Sequence, residues 1–288
     1  MTQLAPTTLH RLDHLETIFV TGPEAKTYLQ GQLSFDLNRL SGERTELATC
    51  NSPQGRVQAV LWLIERTDGI ALLLPASMLE TTLARLKKYV LRAKVKIEPG
   101  AGRVQVCGAR IGGFEGEPRV HRQTGDRSEV NWPGAEPRVL SLVERSLGVA
   151  SDPTLVEAWR RADIAAGLPQ VYPQTHEAFV AQMLNADLLG GIGFEKGCYT
   201  GQEIIARTHF RGAIKRRMFR FRADCAPPAP GTRLVSGEQH AGDVVDAVAT
   251  EGGCELLAVV NLSQIDDAVA LDTPERAPLT RLPLPYQV

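Results

Sequence analysis

Lys196-Gly197-Cys198-Tyr199-Thr200-Gly201-Gln202-Glu203 sets a lone cysteine in a glycine-bracketed turn just ahead of a helix start. Thr200 and Glu203 have capping-box spacing. In that arrangement the hydroxyl accepts from a first-turn N–H while the carboxylate reaches back to the cap N–H, so a short helix is predicted from about Gly201. Cys198 then lies just before a positive helix end, with Lys196 two residues away, and both features favour thiolate over thiol. A nucleophilic or redox-active sulfur is the functional reading. The structural alternative is a small buried apolar residue in a tight turn, the common role of a free cysteine.

The basic run after the turn comprises Arg207, His209, Arg211, Lys215, Arg216, Arg217, Arg220 and Arg222. It suits an anion: a phosphate, an RNA backbone or the glutamate tail of a folate, with Arg207, Arg211 and Lys215 as the leading candidates. Met218 to Arg222 also alternates as a strand with its charges on one face, which a solvated surface explains equally. No stacked-aromatic interleaving accompanies the charges, so the sequence gives RNA binding little support.

Upstream, residues 16–22 read as a strand and Glu24 to Leu33 as a helix with Ala25, Tyr28, Leu29 and Leu33 on one face. Leu47 to Cys50 and Val57 to Glu65 flank the turn Asn51-Ser52-Pro53-Gln54-Gly55 as a hairpin, with a further strand over Ile70 to Leu74. Ser77 to Val90 is an amphipathic helix with Ser77 at its cap position, and Lys94 to Ile97 follows as a strand. Gly100 to Pro137 is rich in glycine and proline and reads as exposed loop, apart from strands at Arg103 to Cys107 and Ser128 to Trp132. Thr154 to Ala165 is helical and ends at Gly167-Leu168-Pro169. Past the proline-rich Cys225 to Gly231, short strands such as Gly242 to Thr250 and Leu256 to Val260 predict a small β-barrel.

A chain of 288 residues with 43% hydrophobic content can bury a substantial core in two or three domains. The formal net charge of -1 supplies no global pull toward nucleic acid or membrane, leaving only local patches. No apolar run approaches the length of a membrane span and the N-terminal stretch lacks a signal-peptide core, which places the chain in a cytoplasm. Five cysteines without a CxxC pair argue against a disulfide framework, a zinc ribbon and a self-contained iron–sulfur cluster. His176, Glu177 and His209 lack the spacing that sets two imidazoles on one ion, so no bound metal is expected. Gly190-Gly191-Ile192-Gly193 follows no phosphate-loop pattern.

The run from Lys196 to Arg216 resembles the signature of the YgfZ family, folate-binding relatives of the T-protein (aminomethyltransferase) of the glycine cleavage system that are linked to the synthesis or repair of iron–sulfur enzymes. Tyr28 to Leu37, Leu86 to Val90, Trp159, Ile164 to Pro169, Asn185, Leu188, Gly190 to Ile192 and Leu284-Pro285-Tyr286 extend the resemblance over essentially the whole chain. It implies an α+β protein built as a three-domain, T-protein-like ring. A discontinuous folate-binding domain (1–46 plus 151–212) would carry the cysteine motif, around a ferredoxin-like domain (47–150), with a C-terminal β-barrel (213–288). The resemblance also implies a tetrahydrofolate cavity walled by Trp159. Asn185, Tyr199, Gln202, Glu203, Arg207 and Arg211 are the other candidate contacts, and Cys198 with Lys196 would carry the chemistry on iron–sulfur client enzymes, tRNA-modifying ones included.

Two departures bear on activity. The paired aspartate that promotes aminomethyl transfer in T-proteins falls on Gln58 and Ala59, which argues against a one-carbon transferase. The glutamate that meets the pterin edge in many relatives falls on Ala165. A transferase and a non-catalytic tRNA-binding module remain the competing readings.

Overall fold

The computed structural model describes residues 8–110 and 117–288. The chain begins with β1 (His10–Arg11), β2 (Leu15–Thr21), α1 (Ala25–Gln30), β3 (Glu46–Asn51), β4 (Val57–Arg66), β5 (Gly69–Pro75), α2 (Leu79–Lys88) and β6 (Lys96–Pro99). β2 to β6 form one antiparallel sheet in the order β3-β4-β5-β2-β6. β4 is buried along most of its length, which is why VQAVLWLIER reads as an apolar run rather than an alternation. α1 and α2 cover the sheet with residues at helical spacing, Ala25, Tyr28 and Leu29 from one and Leu83 and Leu86 from the other.

A second antiparallel sheet takes β7 (Val104–Arg110), β8 (His121–Thr124), β9 (Arg127–Asn131) and β10 (Arg138–Glu144), in the order β1-β7-β10-β9-β8. Trp62 of β4 meets Trp132 at 4.8 Å between ring centroids, and Trp132 meets Trp159 at 6.4 Å. This line of indoles ties both sheets to α3 (Pro153–Ala165). Asp152 caps α3 by accepting from the Thr154 N–H at 2.9 Å, Pro153 occupies the first turn, and Gly167 ends it at φ +66°. A Cβ at Gly167 would lie 2.6 Å from the Tyr286 hydroxyl, which instead donates to the Gly167 carbonyl at 2.7 Å.

After α4 (Gln202–Phe210), β11 (Arg216–Ala223), β12 (Arg233–Ser236), β13 (Gln239–Thr250), β14 (Gly253–Asn261), β15 (Val269–Leu271) and β16 (Thr280–Leu282) form a third sheet in the order β15-β12-β13-β14-β11-β16. Its two edges are joined: the Leu271 N–H donates to Ala277 and the Leu279 N–H to Val269, just before the chain pairs with β11. No helix among the described residues is long and apolar enough to cross a membrane.

The protein is thus mixed α/β and mostly strand, but the expected division at residues 46/47 is corrected. β2 pairs with β5 from Leu15↔Pro75 to Val20↔Ile70, so strands from both sides of that boundary share one sheet, and residues 47–150 are not a separate ferredoxin-like unit. The composition break near 45 marks a loop. Residues expected as exposed loop hold β8 as well, and residues 111–116 of that stretch lie outside the described residues. Ser77 does not cap α2, which starts after a short 3-10 turn with Met78 at its cap.

Candidate functional site

The 196–203 loop is docked onto the segment 30–36. The Lys196 ammonium donates to the carbonyls of Gln30, Leu33 and Phe35 at 2.8, 2.7 and 2.7 Å, and the Thr200 N–H donates to Gly31 at 3.3 Å. Burial pulls this ammonium down to about 8, with the Asp36 carboxylate opposing the shift. Tyr199 is buried with its ring 4.8 Å from the Lys196 nitrogen, and burial lifts its phenol to about 12. Gly201 sits at φ +81°, where a Cβ would come within 2.5 Å of the Ser52 carbonyl, so the motif presses against the β3–β4 turn.

Two expectations are corrected here. Gly201, not Thr200, is the cap of α4, and no side-chain capping bond forms; Thr200 is one residue too early and Glu203 is exposed. The three N–H groups of the Lys196 ammonium are all taken by backbone carbonyls, so none is left to donate to the Cys198 sulfur. The thiol itself is exposed, whereas Cys50, Cys107 and Cys254 are buried and Cys225 is half-buried, so of five cysteines one is fully presented to solvent. Gln202 stays on the loop, its amide donating to the Lys196 carbonyl at 3.4 Å.

Asn185 has a structural place. It is fully buried at φ +57°, and its amide nitrogen donates to the Met218 carbonyl at 2.8 Å and to Tyr286 at 3.4 Å. Arg217 reinforces this junction through both oxygens of Asp187 at 2.6 and 2.8 Å. Together they fix the segment before the cysteine loop to β11.

Trp159 lines a different place, a cavity of about 290 Å³ walled by Ala158, Trp159, Ala162, Ala165, Arg220 and Glu255 among others. No residue of the 196–203 loop lines it, nor do Asn185, Arg207 or Arg211. The indole is 3% exposed, lies under the Arg138 guanidinium at 4.7 Å, and its Nε1 is buried without a hydrogen-bond partner. Arg220 donates through two nitrogens to one oxygen of Glu255, at 2.9 and 2.6 Å, which fixes the carboxylate at the cavity wall. A flat apolar wall with one fixed carboxylate suits a heteroaromatic ring. The cavity lies near the lower end of the usual range of about 300–1,000 Å³ for small-molecule sites.

Sequence reasoning missed Arg85, and weighed Glu177 only as a metal ligand. Arg85 donates to Gln58 Oε1 and to Gln32 Oε1, both at 3.0 Å, and the Gln58 amide donates to Glu177 at 2.7 Å. Arg85 offered only a helical periodicity in the sequence, and Glu177 is reached through non-local pairing of Val57 with 177–179. The aromatic stack around His209 was also missed: Phe194 lies face to face with His209 at 3.7 Å, and Phe210 stands edge-on to both. Of the basic run, Arg216, Arg217, Arg220 and Arg222 are each paired with a carboxylate, which leaves Arg207, Arg211 and Lys215 exposed.

No family model matches the chain. It is 33% identical over 309 residues to the tRNA-modifying protein YgfZ of Edwardsiella ictaluri, covering 98% of this chain and 93% of that protein. With the tRNA-modifying protein YgfZ of Enterobacter sp. it shares 31% identity over 310 residues, 98% of this chain and 94% of the other. In fold it is similar to the crystal structure of glycine cleavage system aminomethyltransferase T from Bartonella henselae, with a TM-score of 0.67 over 97% of this chain and 85% of that one, at 14% identity. That likeness speaks for the fold, and the full-length sequence likeness for the family. The chain belongs to the YgfZ family of tRNA-modifying proteins, on an aminomethyltransferase-like fold.

Proposed function

We propose that this protein is a cytoplasmic, folate-binding accessory factor that supports the assembly, transfer or repair of iron–sulfur clusters in client enzymes, tRNA-modifying ones among them, through the thiol of Cys198. The observation that carries the reading is the build of the loop. A single exposed cysteine stands on a turn held by the Lys196 ammonium on one side and the left-handed Gly201 on the other. A free thiol on a fixed turn is suited to transient ligation of iron or to thiol exchange with a client that brings the remaining ligands. The cluster is cargo in this scheme.

The Trp159 cavity is the proposed seat of the pterin end of tetrahydrofolate. The orphaned Trp159 Nε1 and the carboxylate of Glu255 would meet the polar edge of a pterin, and the Ala162 and Ala165 methyl groups leave its face room. Glu255 thus offers a carboxylate where Ala165 supplies none. Arg161, on the same cavity, would meet the glutamate end. Bound reduced folate supplies one-carbon or reducing chemistry. Against a one-carbon transferase stands the Gln58 amide at the position where T-proteins carry an aspartate.

Calorimetric titration of the reduced protein with tetrahydrofolate tests the cavity. Trp159→Ala and the cavity-filling Ala162→Leu should weaken binding at least tenfold, and Cys198→Ala should leave it intact. Separately, Cys198→Ala should fail to restore iron–sulfur tRNA-modifying activity in cells lacking the protein. Full restoration would remove the thiol from the mechanism.

A further inference from the structure

The end of α4 carries a surface that the fold itself does not use. Phe210 is 67% exposed, an unusual position for a large apolar side chain, and stands edge-on to the Phe194–His209 stack. Phe194 and His209 have ring planes 15° apart, so the three rings brace one another. Arg207 lies one turn before Phe210 on α4, Arg211 follows Phe210 as the residue that ends the helix, and Lys215 comes next ahead of β11. All three cations are exposed and form no ion pair among the described residues, although the neighbouring arginines of β11 are all paired. Arg207 and Arg211 are spaced i, i+4, where like charges repel, while the helix dipole favours cations at this C-terminal end.

We propose that this surface binds single-stranded RNA, with a nucleobase stacked on Phe210 and flanking phosphates on Arg207, Arg211 and Lys215. Stacking on an exposed ring next to backbone-tracking cations is the usual chemistry of single-strand recognition. A duplex keeps its base faces covered, so the partner offers an unpaired loop or end. The glutamate tail of a folate would use the cations but not the ring, and these residues do not line the Trp159 cavity. An acidic protein segment would likewise leave the braced aromatic group without a purpose. The proposal does not rest on the folate reading, because none of Phe194, Arg207, Phe210, Arg211 and Lys215 lines the Trp159 cavity.

Fluorescence anisotropy with a labelled, mixed-sequence single-stranded RNA 12-mer decides the matter, with the duplex of the same sequence and an oligoglutamate peptide as competitors. Phe210→Ala is expected to weaken binding about tenfold and Phe210→Trp to restore it. Arg207→Ala/Arg211→Ala/Lys215→Ala should flatten the slope of log affinity against log salt by about 2, from roughly 0.7 per phosphate contact on a single strand. All four replaced residues are exposed, and unchanged circular dichroism and urea unfolding would show that the fold is retained. No RNA binding, binding indifferent to Phe210, or equal competition by oligoglutamate would each overturn the proposal.

Discussion

Replacing Lys196 with methionine tests whether this lysine holds the cysteine loop in place. The substitution keeps the length of the side chain and removes the ammonium that donates to Gln30, Leu33 and Phe35. Each buried acceptor left without its donor costs about 1–3 kcal/mol, so the three carbonyls together cost roughly 3–9 kcal/mol. Removing a buried charge gives some of this back. The ammonium is pulled from its ordinary 10.5 to about 8, which at about 1.4 kcal/mol per unit corresponds to roughly 3 kcal/mol of burial penalty. A net loss of about 3 kcal/mol is expected in urea unfolding. Hydrogen exchange at Thr200, whose N–H is bonded to Gly31, should rise with it. Lys196→Arg keeps the charge, but its planar fork does not match three converging carbonyls and should recover less than half of the loss. A loss under about 1 kcal/mol with unchanged protection would refute the anchoring role and return Lys196 to the neighbourhood of the thiol.

Burial, with Arg160 nearby, pulls the His14 imidazole down to about 4. As pH falls from about 6.5 to 4 the unfolded chain takes up a proton that the folded chain does not, so stability falls by about 1.4 kcal/mol per unit, to roughly 3 kcal/mol by pH 4. His14→Leu should remove this component from urea melts compared at pH 7 and 4.5; identical acid slopes in the two proteins would contradict it. Gly201→Ala combines φ +81° with a contact 2.5 Å from the Ser52 carbonyl and should cost at least about 2 kcal/mol. Gly190→Ala, at φ +73° with open space around it, should cost about 1 kcal/mol, and equal losses would mean that the close approach at Gly201 is not a constraint.

Local pattern carried much of the fold. The strand over residues 16–22, the hairpin around Asn51 to Gly55, and the helices α2 and α3 are recovered because their apolar periodicity and turn residues act within a few positions. The boundary at 46/47 was not legible, since the pairing of β2 with β5 is non-local and leaves no trace in composition. The site shows the same limit. A lysine two residues from a cysteine reads as its electrostatic partner until a distant segment supplies three carbonyls that hold it elsewhere. The capping-box spacing of Thr200 and Glu203 gave the helix start to within a residue and the wrong cap, because the approach of Ser52 to Gly201 decides the backbone. The stack of Phe194 on His209 requires the loop between them to fold back, so aromatic rings apart in sequence become one platform.

Gln58 joins a guanidinium to a carboxylate. Its amide accepts from Arg85 and donates to Glu177, while Arg85 also donates to Gln32 and reaches the Asn51 carbonyl at 3.4 Å. An amide suits this position because it can satisfy a guanidinium and a carboxylate together, which a carboxylate could not do without facing Glu177 as a like charge. The same exchange removes a group able to take a proton or balance a developing cation. The pocket lined by Gln58 and Ala59 is about 10 Å³, room for about one water. What remains is a cavity at Trp159 and a thiol at Cys198 with no lining residue in common. A folate in that cavity would act on the thiol through the protein or a client rather than by contact. On the proposed function, a client would meet the thiol at the exposed 196–203 loop.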